Sequence, residues 1–412
     1  MAIVRPFKGL RPSKDIAHKL ASFPYDVINS DEARELAKCN PQSFLHINKP
    51  EIDLEPGINL YDQRVYDKAV ENFKMFQQKG WLVRDAEACF YIYKQVMNGR
   101  AQIGLMCCCS AQEYWDGKIK RHEFTRKDKE EDRLKHVDMT NCNAGPVFLT
   151  YPARASINAL VDQIIKNPAD IDFTSEDGIQ HVLWVVKDAE WNKKVTAEFA
   201  QVPALYVADG HHRTQAAARV AKVRAEKNPK HTGNEEYNFF MSVVFPHNHL
   251  FIMDYNRAVH DLNGLSEAEF IKKVEEKFTV EKQEYKKPSA ENTFGMYLKG
   301  TWYKLTAKPG TFDIKDPVAS LDVSIMQNNL LSPILGIGDP RTDKRIDFIG
   351  GIRGVKELEK IVDSGKFVVA FAMFPTSIEQ LMKIADSGEV MPPKSTWFEP
   401  KLRSGMVVHT ID

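Results

Sequence analysis

The sequence predicts a mixed α/β chain of α+β character, divided into a larger N-terminal domain and a smaller α+β domain. Three observations carry this expectation. The chain has 412 residues, more than one simple core accommodates. Apolar runs of strand length and stretches of helical period alternate along it. Its composition, 43% hydrophobic and 27% charged, is that of a globular protein.

Each element follows from local pattern. "SDEARELAKCNPQSF" opens on Ser30 as N-cap and stops before Pro41, which predicts a short helix. "NLYDQRVYDKAVENFKMFQQKGW" places Tyr66, Ala69, Val70, Phe73 and Phe76 on one helical face, with Gly80 as its stop. "CFYIYKQVMNGRAQIGLMCCCSA" reads as a hairpin turning at Asn98-Gly99. A charged helix is expected at about 127–140. "PALYVA" is a short apolar strand, and the alanine-rich helix after it runs to about Lys227. "NFFMSVVFP" is a further strand. Beyond about Asn256 the texture changes. "LSEAEFIKKVEEKF" carries capping-box spacing at Ser266 and Glu269. A hairpin about Lys299-Gly300, two helices ("VKELEKIVDSGK", "SIEQLMKIADSGE") and the buried strand "FVVAFAMFP" follow. The expected divisions are 1–255, 256–390, and a segment 391–412 folding back on the first domain.

Lys+Arg and Asp+Glu both number 56, so no global basic field holds the chain to nucleic acid, and a nucleic-acid partner is not expected. No run reaches 18 apolar residues, and "MAIVRPFKGLRPSKD" lacks a signal-peptide core, so the reading is cytoplasmic and not membrane-bound. The six cysteines include no Cys-x-x-Cys pair. Cys107, Cys108 and Cys109 are adjacent, and on a strand their side chains alternate faces, which suits buried apolar residues better than chelation. "LGIGDPRTDKRIDFIGGIRG" lacks the strand-to-helix context of a dinucleotide fingerprint. No zinc, haem or flavin is expected.

The chemistry concentrates in "YVADGHHRTQAAARV", between a strand and a helix. The first N–H groups of a helix have no internal acceptor and carry the positive dipole end. Gly210 lets a ligand approach the backbone, and Arg213 can grip a phosphate bidentately. His211 and His212 can donate to phosphoryl oxygens. Asp209 can hold Mg²⁺, orient a histidine, or simply cap the helix. Phosphate site, metal site and capped helix start all stay open at this point. "RHEFTRKDKEEDRLKH" ends in a run of alternating sign, suited to a solvated helix face. Ahead of that run, Glu123 can serve as general base and Arg121 as phosphate ligand. "FPYDVI" offers Asp26 as a substrate or Mg²⁺ ligand. "MPPKSTWFEPK" is no Walker loop, since Pro392-Pro393 removes two N–H groups, yet Lys394, Ser395 and Thr396 form a cation-and-hydroxyl cluster.

The turn "ADGHHR" resembles the signature of the ParB/sulfiredoxin-like superfamily, and its Asp-Gly-His-His-Arg form looks most like the free-serine kinases. "RPFKGLRP", "FPYDVI", "RHEFT" with "KEEDR", "ADGHHR", "RIDFIGG" and "MPPKSTWFEPK" together resemble a bacterial and archaeal family, domain-of-unknown-function family 1015, often filed beside chromosome-partitioning ParB proteins. The resemblance implies a ParB/sulfiredoxin-like fold over 1–255, with nucleotide phosphates at the turn and Arg5 bordering the nucleotide.

The leading expectation is a nucleotide-binding small-molecule phosphotransferase that uses a nucleoside di- or triphosphate with Mg²⁺ and a small-molecule substrate. Glu123, Asp209, His211 and His212 would be catalytic. Gly210, His212, Arg213, Arg121, Arg5, Lys394, Ser395 and Thr396 would hold phosphate, and Asp209 or Asp26 the metal. Arg121, Glu123 and Asp26 are expected to converge on the Asp209–Arg213 turn. The alternatives are a ParB-like nucleotide-gated DNA- or partner-binding protein, for which no convincing helix-turn-helix is found, and a non-catalytic nucleotide sensor.

Overall fold

A computed structural model describes residues 2–412. The fold is mixed α/β, with thirteen α-helices and one large sheet among the described residues. The chain separates into two compact units. The first comprises residues 1–121, 125–250 and 400–412, the second 122–124 and 251–399. No helix among the described residues is long and apolar enough to cross a membrane.

The first unit is built on a nine-stranded sheet: β1 (Val4–Arg5), β2 (Phe90–Met97), β3 (Arg100–Ser110), β4 (Ile119–Lys120), β5 (Val147–Tyr151), β6 (Ile171–Thr174), β7 (Gln180–Val186), β8 (Leu205–Asp209) and β9 (Phe239–Pro246). Its order is β4-β8-β5-β9-β3-β2-β7-β6, with β1 against the far end of β3. Strands β5 and β9 run parallel, as do β4 and β8; the other pairs are antiparallel. The β2–β3 hairpin turns at Asn98 and Gly99, both at positive φ (51° and 77°), which matches the right-handed twist of the strands. Cys107 and Cys109 sit in the apolar core of one sheet face, their sulfurs 3.9 Å apart, and all three adjacent cysteines are buried.

Four helices of this unit bear on the site: α1 (Ser30–Ala37), α2 (Gln63–Gln78), α3 (Lys127–Thr140) and α4 (His211–Lys227). The N-cap of α1 is Asn29, not Ser30. Asn29 accepts the N–H groups of Asp31 and Glu32, while Ser30 donates its hydroxyl to Glu51. An amide oxygen one residue earlier reaches two orphan donors, and Glu32 closes the capping box. Helix α4 buries Ala216, Ala217, Ala218, Val220 and Ala221, small side chains that bring it close against its neighbours. Helix α3 corrects a second expectation. Its charged run is not simply solvated, because Glu130, Asp132 and His136 are buried. Asp132 accepts the Tyr66 hydroxyl from α2 at 2.9 Å, and Glu130 accepts from Gln215 of α4 at 2.9 Å. Alternating sign along a sequence cannot distinguish a wet face from one whose charges are paired across helices.

The second unit has a six-stranded antiparallel sheet. Its strands are β10 (Tyr255–Val259), β11 (Phe278–Lys282), β12 (Thr293–Leu298), β13 (Thr301–Ala307), β14 (Ile346–Gly350) and β15 (Val369–Ala372), in order β11-β13-β12-β15-β10-β14. Ser266 and Glu269 form the predicted capping box on α5 (Glu267–Lys277). Helices α6 (Val355–Asp363) and α7 (Ile378–Ser387) lie where the sequence periodicity puts them.

Candidate functional site

Strand β8 ends at Asp209, and α4 begins at His211. Between them Gly210 is the N-cap, at φ 93°, and no side chain caps the helix. Asp209 is therefore not a cap. Its carboxylate turns to cations instead. Oδ2 accepts from Arg213 Nη2 at 2.9 Å, and Oδ1 from Lys401 Nζ at 3.2 Å. Burial alone would raise the Asp209 pKa, but Lys401 and Arg213 outweigh it and hold the carboxyl well below the usual range. With a cation on each oxygen, Asp209 fits poorly as a magnesium ligand, since a divalent ion would have to displace two ion pairs. Asp26 is more exposed and lies 4.0 Å from Arg213.

Arg213 is anchored on several sides. Nη1 donates to the carbonyl of Pro146, Nη2 to Asp209, and the side chain is only 10% exposed. Its guanidinium lies against Gly210, where an added Cβ would sit 3.0 Å from Cζ. Gly210 is thus required twice, for its positive φ and for this close approach. We expect Gly210→Ala to cost about 1–2 kcal/mol from backbone strain alone and to displace Arg213. A thermal melt that matches the parent would show that the turn has another conformation.

The C-terminal segment supplies residues that sequence reasoning missed. Lys401 closes the same motif that holds Lys394, Ser395 and Thr396. Its carbonyl accepts from Gln95 (2.9 Å) and that of Pro400 from Gln102 (3.2 Å), two buried glutamines paired across the β2–β3 hairpin. Two polar residues facing each other within an apolar hairpin were the available signal. Ser404 and Ser22 exchange backbone hydrogen bonds, and the Arg403 guanidinium lies 3.8 Å over the Phe23 ring while pairing with Asp177. These contacts fasten the loop carrying Tyr25 and Asp26. Arg133 stacks over Tyr25 at 3.9 Å and pairs with Asp132.

Other expected residues lie as follows. His211 is buried at the first position of α4. His212 Nε2 accepts the N–H of Arg126 at 3.0 Å, so that nitrogen is engaged as an acceptor and does not donate to a phosphate here. Burial lowers its pKa, which keeps the ring neutral. Arg121 donates to the Tyr114 hydroxyl at 3.4 Å, which in turn donates to Gln215 of α4. Arg5 is committed elsewhere. It pairs with Glu236, donates to the Asn234 carbonyl and lies 3.5 Å over Phe239. Glu123, Lys394, Ser395 and Thr396 belong to the second unit. There Ser395 donates to the Pro392 carbonyl at 2.6 Å, and Lys394 sits at φ 61° with its ammonium over Tyr255.

The model of the family described as "Protein of unknown function (DUF1015)" matches residues 4–324, most of the chain. The chain belongs to that family. Its motifs had pointed there. Among solved structures the chain is similar to free serine kinase in complex with AMP, at 14% identity over 72% of this chain and 86% of that one, with a TM-score of 0.35. It is similar to SbnI with a C-terminal truncation from Staphylococcus aureus, at 11% over 71% and 82%, TM-score 0.38. A conserved hypothetical protein from Pyrococcus furiosus gives 14% over 73% and 93%, TM-score 0.35. No curated protein matches. TM-scores this low carry no functional argument.

Proposed function

We propose that the first unit binds a nucleoside di- or triphosphate at the start of α4 and passes a phosphoryl group to the hydroxyl of a small acceptor. A ParB/sulfiredoxin-like domain is the fold reading that accompanies it. The observation that carries the proposal is the strand-to-helix turn at Gly210. Its helix start has no side-chain cap, its glycine has positive φ, and Arg213 and Lys401 are fixed beside it by one carboxylate. The helix dipole and these cations favour phosphate oxygens at that point. Phosphoryl transfer depends mainly on positioning and charge neutralisation, and a pre-fixed pair of cations provides both. In this reading Asp209 orients Arg213 and Lys401, and Asp26 is the residue that would hold Mg²⁺, which would neutralise charge on the transferring group. The P–O bond to the donor breaks as the acceptor oxygen bonds to phosphorus, and the hydroxyl proton leaves to a base.

Calorimetric titration with AMP, ADP and ATP in the presence of Mg²⁺, with adenosine as control, tests this. Phosphorylated ligands should bind and adenosine should not. At a hundred times the dissociation constant the ligand should add about 2.7 kcal/mol of stability. Arg213→Met should weaken binding about ten- to hundredfold, the effect of losing a charge-assisted hydrogen bond. If the parent binds no nucleotide, or the variant binds as well as the parent, the phosphate turn is structural only.

A further inference from the structure

We propose that a cavity in the first unit, beside the Gly210 turn, is a binding site for a small oxyanion: the carboxylate or phosphate head of the acceptor. The cavity measures about 30 Å³ and is lined by Tyr25, Asn48, Arg133, Arg213 and Ser404, with an apolar wall that includes Phe240 and Met241. Hydrogen-bonding capacity around it is unspent. Arg213 Nε is buried with no hydrogen-bond partner. Arg133 commits Nε and Nη2 to Asp132 and leaves Nη1 without a partner among the described residues. The Tyr25 and Ser404 hydroxyls and the Asn48 amide likewise make no side-chain hydrogen bond among the described residues.

Buried polar groups are nearly always satisfied, so the orphaned Arg213 Nε calls for an acceptor that brings its own oxygen, and the accessible donors of Tyr25, Asn48, Arg133 and Ser404 line the same cavity. Two guanidinium groups, each also paired with a carboxylate, line the cavity, and their N–H groups favour an anionic oxygen as acceptor. Burial raises the Tyr25 phenol well above its ordinary pKa, so it remains a donor at neutral pH. The volume admits about two waters or the head of one carboxylate, and excludes a nucleoside. Assigning the anion to the acceptor rests on the phosphotransferase reading; anion binding itself does not.

The test titrates the full chain, without nucleotide and in chloride buffer, with sodium acetate and separately with inorganic phosphate. Binding is followed by calorimetry and melting temperature. Saturable binding is expected. Tyr25→Phe and Ser404→Ala, which remove one donor each and leave the Asp209 cluster intact, should each weaken it about tenfold with nucleotide affinity unchanged. Saturation by acetate alone identifies a carboxylate, and saturation by phosphate alone a phosphate head. Two results would overturn the site: no saturation by either anion, meaning the cavity holds water only, or saturation indifferent to both substitutions. The second pattern, with phosphate displaced by nucleotide, would place the anion on the Gly210 turn. Loss of nucleotide binding by the parent would remove the proposed function without touching this result.

Discussion

Asp209→Ala is expected to destabilise the first unit by on the order of 3 kcal/mol, the loss seen when one partner of a buried ion pair is removed. The residue holds two cations at once, Arg213 and Lys401, whose side chains are 10% and 12% exposed. Without the carboxylate both charges stay in a poorly hydrated setting. A simple helix cap would cost only about 1 kcal/mol, so the size of the loss in urea unfolding separates the two roles. Nucleotide affinity should fall with it, because Arg213 and Lys401 lose their common anchor. The pH dependence has a definite sign. The folded carboxyl lies below its ordinary value of 3.8, so its contribution is present above about pH 4 and is lost as pH falls below it. Asp209→Asn should be destabilised at pH 7 and lose this acid sensitivity. A loss of 1 kcal/mol or less in Asp209→Ala would mean that the two ion pairs do not hold the turn together.

The steepest acid response is expected from two buried neutral histidines. His181 is fully buried, with Nδ1 2.7 Å from the Tyr93 hydroxyl and Nε2 3.0 Å from Ser175 Oγ. Burial, reinforced by the charge of Arg403, pushes its pKa down to about 3. His136 on α3 donates Nε2–H to the Ile47 carbonyl, and burial with Arg133 nearby pushes it down to about 4. Unfolded, both would take a proton near pH 6.5. Stability is therefore fully present above pH 6.5 and falls as pH drops toward 3 for His181 and 4 for His136. Each costs about 1.4 kcal/mol per pH unit, roughly 2 kcal/mol apiece by pH 5. His136→Gln keeps a donor toward Ile47 but cannot titrate, so its stability–pH slope between 6.5 and 4.5 should be shallower by about one proton. An unchanged slope would show that His136 is already protonated in the fold.

The local elements and the turn were legible in the spacing of the residues. The hairpin at Asn98-Gly99, the helix over 127–140, the strand–glycine–helix at 205–227 and the capping box at Ser266 are set by interactions a few residues apart, and so they are readable from spacing. Where two acceptable signals lie side by side, as at Asn29 and Ser30, spacing chose the wrong one, because the better-placed oxygen is decided by backbone geometry. What the polar residues do emerges from the folded chain. Asp209 looks like a cap until Lys401, 192 residues away, appears on its second oxygen. Glu130 and Asp132 look solvated until α2 and α4 cover them. Tyr25 and Arg133 sit in separate motifs and Ser404 in none, yet all three line one cavity with Arg213. The physical reason is common to all of these. Burial and ion pairing arise from contacts that the chain makes across long separations, and a carboxylate or guanidinium has the same local signature whether it meets water, a metal or a partner.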